Sequence, residues 1–164
     1  MCLPYLRKAG LIPEAPLSSA SDEEKETYRI EVLDYVRRVI PLEQERMKML
    51  SEVVDLVGFF FAELDYPNGY DEKAIAKWLK VPYLKPLLEK QIEVYSALSE
   101  WTPETLEAAT REISEELTLK FAEVIHPTRV AVTGRTVGPG LFETLWAMGK
   151  ERTITRLKTV SERA

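Results

Sequence analysis

The residues whose types and spacing suit chemistry are gathered in one stretch, HPTRVAVTGRTVGPGL, from His126 to Leu141. It holds three of the chain's seven glycines, two prolines and two arginines, and it leads into the amphipathic run LFETLWAMGKERTITRLKTV. Gly134, Gly138 and Gly140 let the backbone take turns that side chains forbid. They also leave N–H groups uncovered ahead of a helix N-terminus, where the dipole favours an anion such as a phosphate or the polar edge of a base. Arg129 and Arg135 flank that opening. A basic, glycine-loosened turn before a helix is a nucleic-acid contact in outline, and the turn is expected to begin where the preceding helix stops, near Ile125.

Behind it, Lys150, Arg152, Arg156 and Lys158 lie along the last helix, with Ile154, Leu157 and Val160 along its other face. Such cations suit phosphate contacts, which hold a nucleic acid in register without reading it. The net charge of −5 is unevenly placed: residues 126 to 164 carry +4 and residues 1 to 125 carry −9. A polyanion would meet the C-terminal end first. The plain alternative is a solvated helix face.

Catalytic constellations are missing. His126 is the one histidine, so a Ser-His-Asp triad would have to use it, and its place before Pro127 suits a helix boundary better. The carboxylates of DEEKE and SEE fall in first helical turns, where they complement the dipole. The GPG of 138 to 140 lacks the lysine and the preceding strand of a nucleotide site. Metal-ligand spacing is absent, and with Cys2 as the lone cysteine no internal disulfide can form. No catalytic residue, metal or cofactor is expected here. The N-terminus lacks the apolar core of a signal peptide, no run of 18 apolar residues would span a membrane, and a reducing, cytoplasmic setting is expected.

The elements that must hold this stretch are helical. A short helix over 3 to 9 stops at Gly10. Ser21 with Glu24 forms a capping-box pattern, starting a helix from about Asp22 to Val39 that Pro41 ends or kinks. A second helix is expected through LEQERMKMLSEVVDLVGFFFAEL, with an interruption near Ser51, close packing at Gly58 and Phe59, Phe60 and Phe61 in the core. DYPNGYD is a turn by chemistry. Asp71 caps the next helix, Pro82 and Pro86 precede another, and Thr102 with Pro103 marks a strong start to one long helix or two abutting ones. The fold predicted is all-α, a multi-helix bundle or cage of two helical subdomains, 1–68 and 69–164.

The run HPTRVAVTGRTVGPGLFETLWAMGKERTITRL closely resembles the C-terminal end of bacterial glutamyl-tRNA synthetases, in which a segment of the form R-V-A-[LV]-T-G-x-x-x-x-P-[GP]-L-F-E-x-L-x-x-[LM]-G-[KR]-E-R is characteristic. LPYLRKAGLI and QERMKMLSEVVDLVGFFF resemble the start of that family's anticodon-binding region, so the resemblance covers essentially the whole chain. It implies two helical subdomains gripping the anticodon loop of glutamate tRNA. Arg129, and the 133 to 141 loop with Thr133, Arg135, Gly138, Pro139, Gly140 and Leu141, are implied to meet anticodon bases. In the first subdomain an arginine is implied to discriminate the third anticodon base; Arg46 is the candidate, with Arg37 and Arg38 behind it.

The resemblance also implies a catalytic domain with HIGH-like and KMSKS-like motifs, using ATP and magnesium. Neither string occurs in these 164 residues. The chain is therefore expected to be the C-terminal third of such an enzyme, an expressed fragment that activates no glutamate, works as a monomer and partners its own N-terminal catalytic domain and tRNA(Glu). The alternative of another class is a helical protein-interaction module that uses the acidic N-terminal two thirds and binds no RNA.

Overall fold

The computed structural model describes residues 1 to 163. These residues are arranged in α-helices with no strand among them, as the sequence predicts. The chain divides into two compact units, Met1–Glu63 and Leu64–Ala164.

In the first unit, α1 (Leu3–Lys8) precedes the proline-rich connection and α2 (Asp22–Tyr28). The capping box forms: the Ser21 hydroxyl accepts from the Glu24 N–H at 3.2 Å, and the Glu24 carboxylate accepts from the Ser21 N–H at 2.8 Å. The helical path then continues through a π turn, Arg29–Leu33, into α3 (Asp34–Glu43). Pro41 lies inside α3, so the helix expected to begin at Leu42 does not. Val39 and Glu43, buried to 0% and 1% exposure, hold the segment on either side of the proline. The chain breaks later, in two 3-10 turns, Gln44–Arg46 and Leu50–Glu52, before α4 (Val53–Phe61). Phe59 and Phe60 are buried, and Phe61 meets Tyr35 edge-on at 5.2 Å. Gly58 is not required for close approach, because a Cβ there would meet Leu11 at an ordinary 3.8 Å.

The second unit contains α5 (Glu72–Trp78), α6 (Leu84–Ala97), α7 (Pro103–Glu116), α8 (Phe121–Thr133), α9 (Leu141–Met148) and α10 (Lys150–Ser161). Side chains start two of them as expected. The Asp71 carboxylate accepts from the Ala74 N–H at 2.7 Å, and the Thr102 hydroxyl from the Thr105 N–H at 3.2 Å. Each satisfies an amide that the helix itself cannot. Thr118, at a φ of 54°, separates α7 from α8.

The main correction concerns α8. It does not stop at Ile125 but runs through Pro127 to Thr133, so RVAVT is helical rather than part of a loop. Proline there removes one helical N–H, while Val124, Pro127, Thr128, Val130, Ala131 and Val132 are all buried. Apolar burial on this scale outweighs one lost bond.

A buried polar chain binds α6 to its neighbours. The Gln91 amide donates to the Thr128 hydroxyl at 2.8 Å, Tyr95 and Thr110 share a hydroxyl bond at 2.6 Å, and Thr128 and Thr110 donate to the Val124 and Leu106 carbonyls at 2.6 Å. Burial pushes the Tyr95 phenol up to about 12, so it is neutral at physiological pH. The turn over 65 to 71 is anchored on α8. The Asp71 N–H donates to the Gly134 carbonyl and the Tyr70 hydroxyl to the Ala131 carbonyl, each at 2.8 Å.

Candidate nucleic-acid interface

The end of α8 and the loop to α9 form a small, internally bonded structure. Gly134 adopts a φ of 74° and its N–H returns to the Val130 carbonyl at 2.8 Å, closing the helix with a left-handed residue. A Cβ at Gly134 would stand 3.0 Å from the Gly69 carbonyl oxygen, so both the torsion and the space call for glycine. Gly138 and Gly140 are not among the residues of positive φ, which corrects the expectation that all three glycines serve unusual torsions. Gly138 instead gives room: a Cβ there would lie 3.3 Å from Nη1 of Arg129.

Arg129 accounts for that close approach. From the next-to-last turn of α8 its Nη1 donates to the Pro139 carbonyl at 2.6 Å, so one guanidinium spans the base of the loop. Thr133 works beside it. Its hydroxyl donates toward the Arg129 and Arg135 carbonyls at 2.7 and 3.1 Å and accepts from the Arg135 N–H at 3.3 Å. Thr133 is 3% exposed. A side chain so placed shapes the loop from inside, where the resemblance offers it to a base. Leu141 and Pro139 are also buried, so neither side chain is displayed; the loop shows Thr136, Val137 and Gly140 outward, with Val137 at 62% exposure.

The uncovered anion site expected ahead of α9 is altered in the same way. The Glu143 carboxylate lies against Gly140, in the volume a Cβ would take. The positive end of α9 faces the chain's own carboxylate before any phosphate.

The row of cations on α10 divides. Lys158 is exposed and Arg152 half-buried. The Lys150 ammonium donates to the Leu98 carbonyl at 2.8 Å, which joins the start of α10 to the end of α6. Arg156 is 3% exposed and its Nη1 donates to the Val132 carbonyl at 2.6 Å. Its position on the stripe of Thr153, Leu157 and Val160 turns it inward, so Arg156 is withdrawn from the phosphate set and Lys150 is a strut before it is a contact.

His126 is structural in its surroundings, as expected, but it belongs to the middle of α8 and not to a boundary. Its ring stacks on Trp78, with centroids 4.4 Å apart and planes 22° from parallel. Partial burial first, then the charges of Arg129 and Lys77, lower its affinity for a proton. The stack was not legible in the sequence, because nothing local says which residue of α8 faces α5.

In the first unit, Arg46 occupies the 3-10 turn after α3, and its Nη1 bonds both oxygens of the Glu43 carboxylate at 3.2 and 3.0 Å. Glu43 is buried while the Arg46 side chain is 41% exposed. Arg37 pairs with Asp34 at 2.9 Å and remains largely open. Met49 and Leu50 follow, 61% and 38% exposed. Among the described residues no group of His, Cys, Asp and Glu could hold a metal ion, and no helix is long and apolar enough to cross a membrane.

A family model described as an anticodon binding domain matches residues 2–161. A glutamate–tRNA ligase of Moorella thermoacetica is 36% identical over 157 residues, covering 96% of this chain and 29% of that protein. One of Roseiflexus sp. (strain RS-1) is 39% identical over 155 residues, covering 94% and 28%. A solved glutamate tRNA ligase of Elizabethkingia meningosepticum shares the fold with a TM-score of 0.75 at 23% identity, over 98% of this chain and 28% of that one. The chain thus spans about 29% of the length of the relatives it matches.

Proposed function

The chain belongs to the anticodon-binding domain family, and from that premise we propose that it holds the anticodon loop of glutamate tRNA for a glutamate–tRNA ligase. The observation that carries the reading is the Arg129 bond to the Pro139 carbonyl. It fixes a solvent-facing loop whose exposed parts are backbone and small side chains, the kind of surface that meets the edges of unpaired bases. Because the loop is ordered before binding, less conformational entropy is lost when RNA docks.

Within this reading Arg129 contacts bases from the position that its loop bond gives it, with Arg135, Gly138 and Gly140 and the backbone of Pro139 and Leu141 completing the surface. Lys158 and Arg152 supply phosphate attraction, and Arg46 lies beside the third anticodon base in the first unit. A catalytic domain, using ATP and magnesium, attaches the glutamate; these 164 residues are assigned no chemistry of their own and no cofactor. The protein is proposed to act as a monomer in the cytoplasm.

The test is binding of a fluorescent glutamate tRNA anticodon stem-loop, compared with the same stem-loop carrying another anticodon. Affinity should fall steeply with salt, and Arg129→Ala should cost on the order of 1 to 3 kcal/mol, the range of a lost base contact. Equal affinity for the two anticodons defeats base reading. Failure to bind at low salt, with capture of a protein partner, would favour an interaction module instead.

A further inference from the structure

Resting on the RNA-binding reading, we infer that the stacked pair of Trp78 and His126, flanked by Lys77 and Arg129, is a second nucleotide contact: a platform on which one unpaired base of the bound RNA extends the aromatic stack. The two rings are near parallel with centroids 4.4 Å apart. The Lys77 ammonium stands 4.9 Å from the centre of the Trp78 ring.

Exposure separates this pair from ordinary packing between α5 and α8. Their neighbours Ala74, Leu79 and Val130 are 1%, 4% and 0% exposed, whereas Trp78 and His126 remain partly open and Lys77 is exposed. A stack formed in advance and left partly wet is the arrangement single-stranded RNA uses, since every base has a π face.

Position gives the second reason. His126 and Arg129 stand three residues apart, one turn of α8, and Arg129 in turn donates to the Pro139 carbonyl of the loop at 2.6 Å. An RNA strand whose bases meet the loop therefore has its next base within about one helical turn, roughly 5 Å, of the aromatic pair.

Charge gives the third. The charges of Lys77 and Arg129 both act on the His126 ring, which places two cations around the platform: Arg129 is held by the loop, and Lys77 is the one offered to the phosphate of a stacked base. Lys77, on a flexible stem, can leave the indole for a phosphate as the base arrives. The carboxylate on the same stripe, Glu123, stands one helical turn before His126 and is engaged by the N–H of Lys120 at 2.8 Å.

The experiment uses the 164-residue chain and the glutamate tRNA anticodon stem-loop. Trp78→Leu should weaken binding roughly 5- to 100-fold, the effect of removing one stacking ring, and Trp78→Phe should retain most of the affinity. RNA should quench the intrinsic fluorescence of the wild-type chain, and much of that quench should vanish in Trp78→Phe, whatever the stability of the leucine variant. Wild-type affinity in Trp78→Leu, or an unchanged quench in Trp78→Phe, overturns the platform while leaving the loop reading in place. A wild-type chain that binds no stem-loop at low salt overturns both.

Discussion

The two segments offered to RNA are built in opposite ways. In the second unit, the loop between α8 and α9 is fastened by groups that change neither charge nor shape: a left-handed glycine, a buried threonine hydroxyl and a guanidinium on a backbone carbonyl. In the first unit, the break between α3 and α4 is two short 3-10 turns secured by carboxylates. Glu43 holds Arg46, and Glu52 caps the N–H groups of Lys48 and Met49 at 2.7 and 3.0 Å. The first kind of segment is set before a partner arrives. The second displays Met49 and Leu50 and depends on ionised groups, so it is the more adaptable of the two.

The largest effect should come from damaging the rigid loop. Gly134→Val combines a φ of 74° with a Cβ 3.0 Å from the Gly69 carbonyl oxygen, and urea unfolding should show a loss of about 2 to 4 kcal/mol. A valine variant as stable as the wild type would mean that the loop is not held as described. Removing the cation of the first segment is milder. Arg46→Ala removes the Nη1 that bonds both oxygens of the buried Glu43, but the arginine is 41% exposed, so solvent screening limits the loss to about 1 kcal/mol. A loss as large as that of Gly134→Val would erase the distinction between the two segments.

Acid sharpens the comparison further. The amides of Met49 and Lys48 hold the Glu52 carboxyl below its ordinary 4.5. A carboxylate depressed by folding stabilises above its unfolded value, and that stabilisation is lost as pH falls through the folded one. Hydrogen-exchange protection at Lys48 and Met49, relative to the intrinsic rate at each pH, should therefore fall below about pH 4.5 while Gly134, whose N–H is held by a backbone carbonyl, stays protected. Simultaneous loosening of both segments would refute the contrast. The smallest effect belongs to Lys158→Ala, which should leave stability unchanged and reduce the salt slope of RNA binding by about one; an unaltered slope removes Lys158 from the phosphate set.

Much of the frame was legible in the sequence because it is local. Ser21 with Glu24, Asp71, and Thr102 with Pro103 announce helix starts through bonds that span three residues, and each cap is found where its chemistry put it. Helical spacing of apolar residues sufficed for an all-α fold, and the RVAVTG…PGLFE run sufficed for the family. The orientation of cations was harder. Arg156 looks like any surface arginine until the stripe of Thr153, Leu157 and Val160 is seen to include it, and Lys150 until the Leu98 carbonyl is found within its reach.

What the sequence alone determined, then, was the helical alphabet, the caps and a glycine torsion in the stretch around Gly134. Tertiary structure decided that α8 continues through Pro127, that Arg129 turns back to the Pro139 carbonyl, and that His126 lies against Trp78. The physical reason is range. A cap or a left-handed turn is settled by atoms a few bonds apart, whereas a buried helix face or a guanidinium bond depends on where a distant segment brings its backbone, and no local pattern of residue types encodes that.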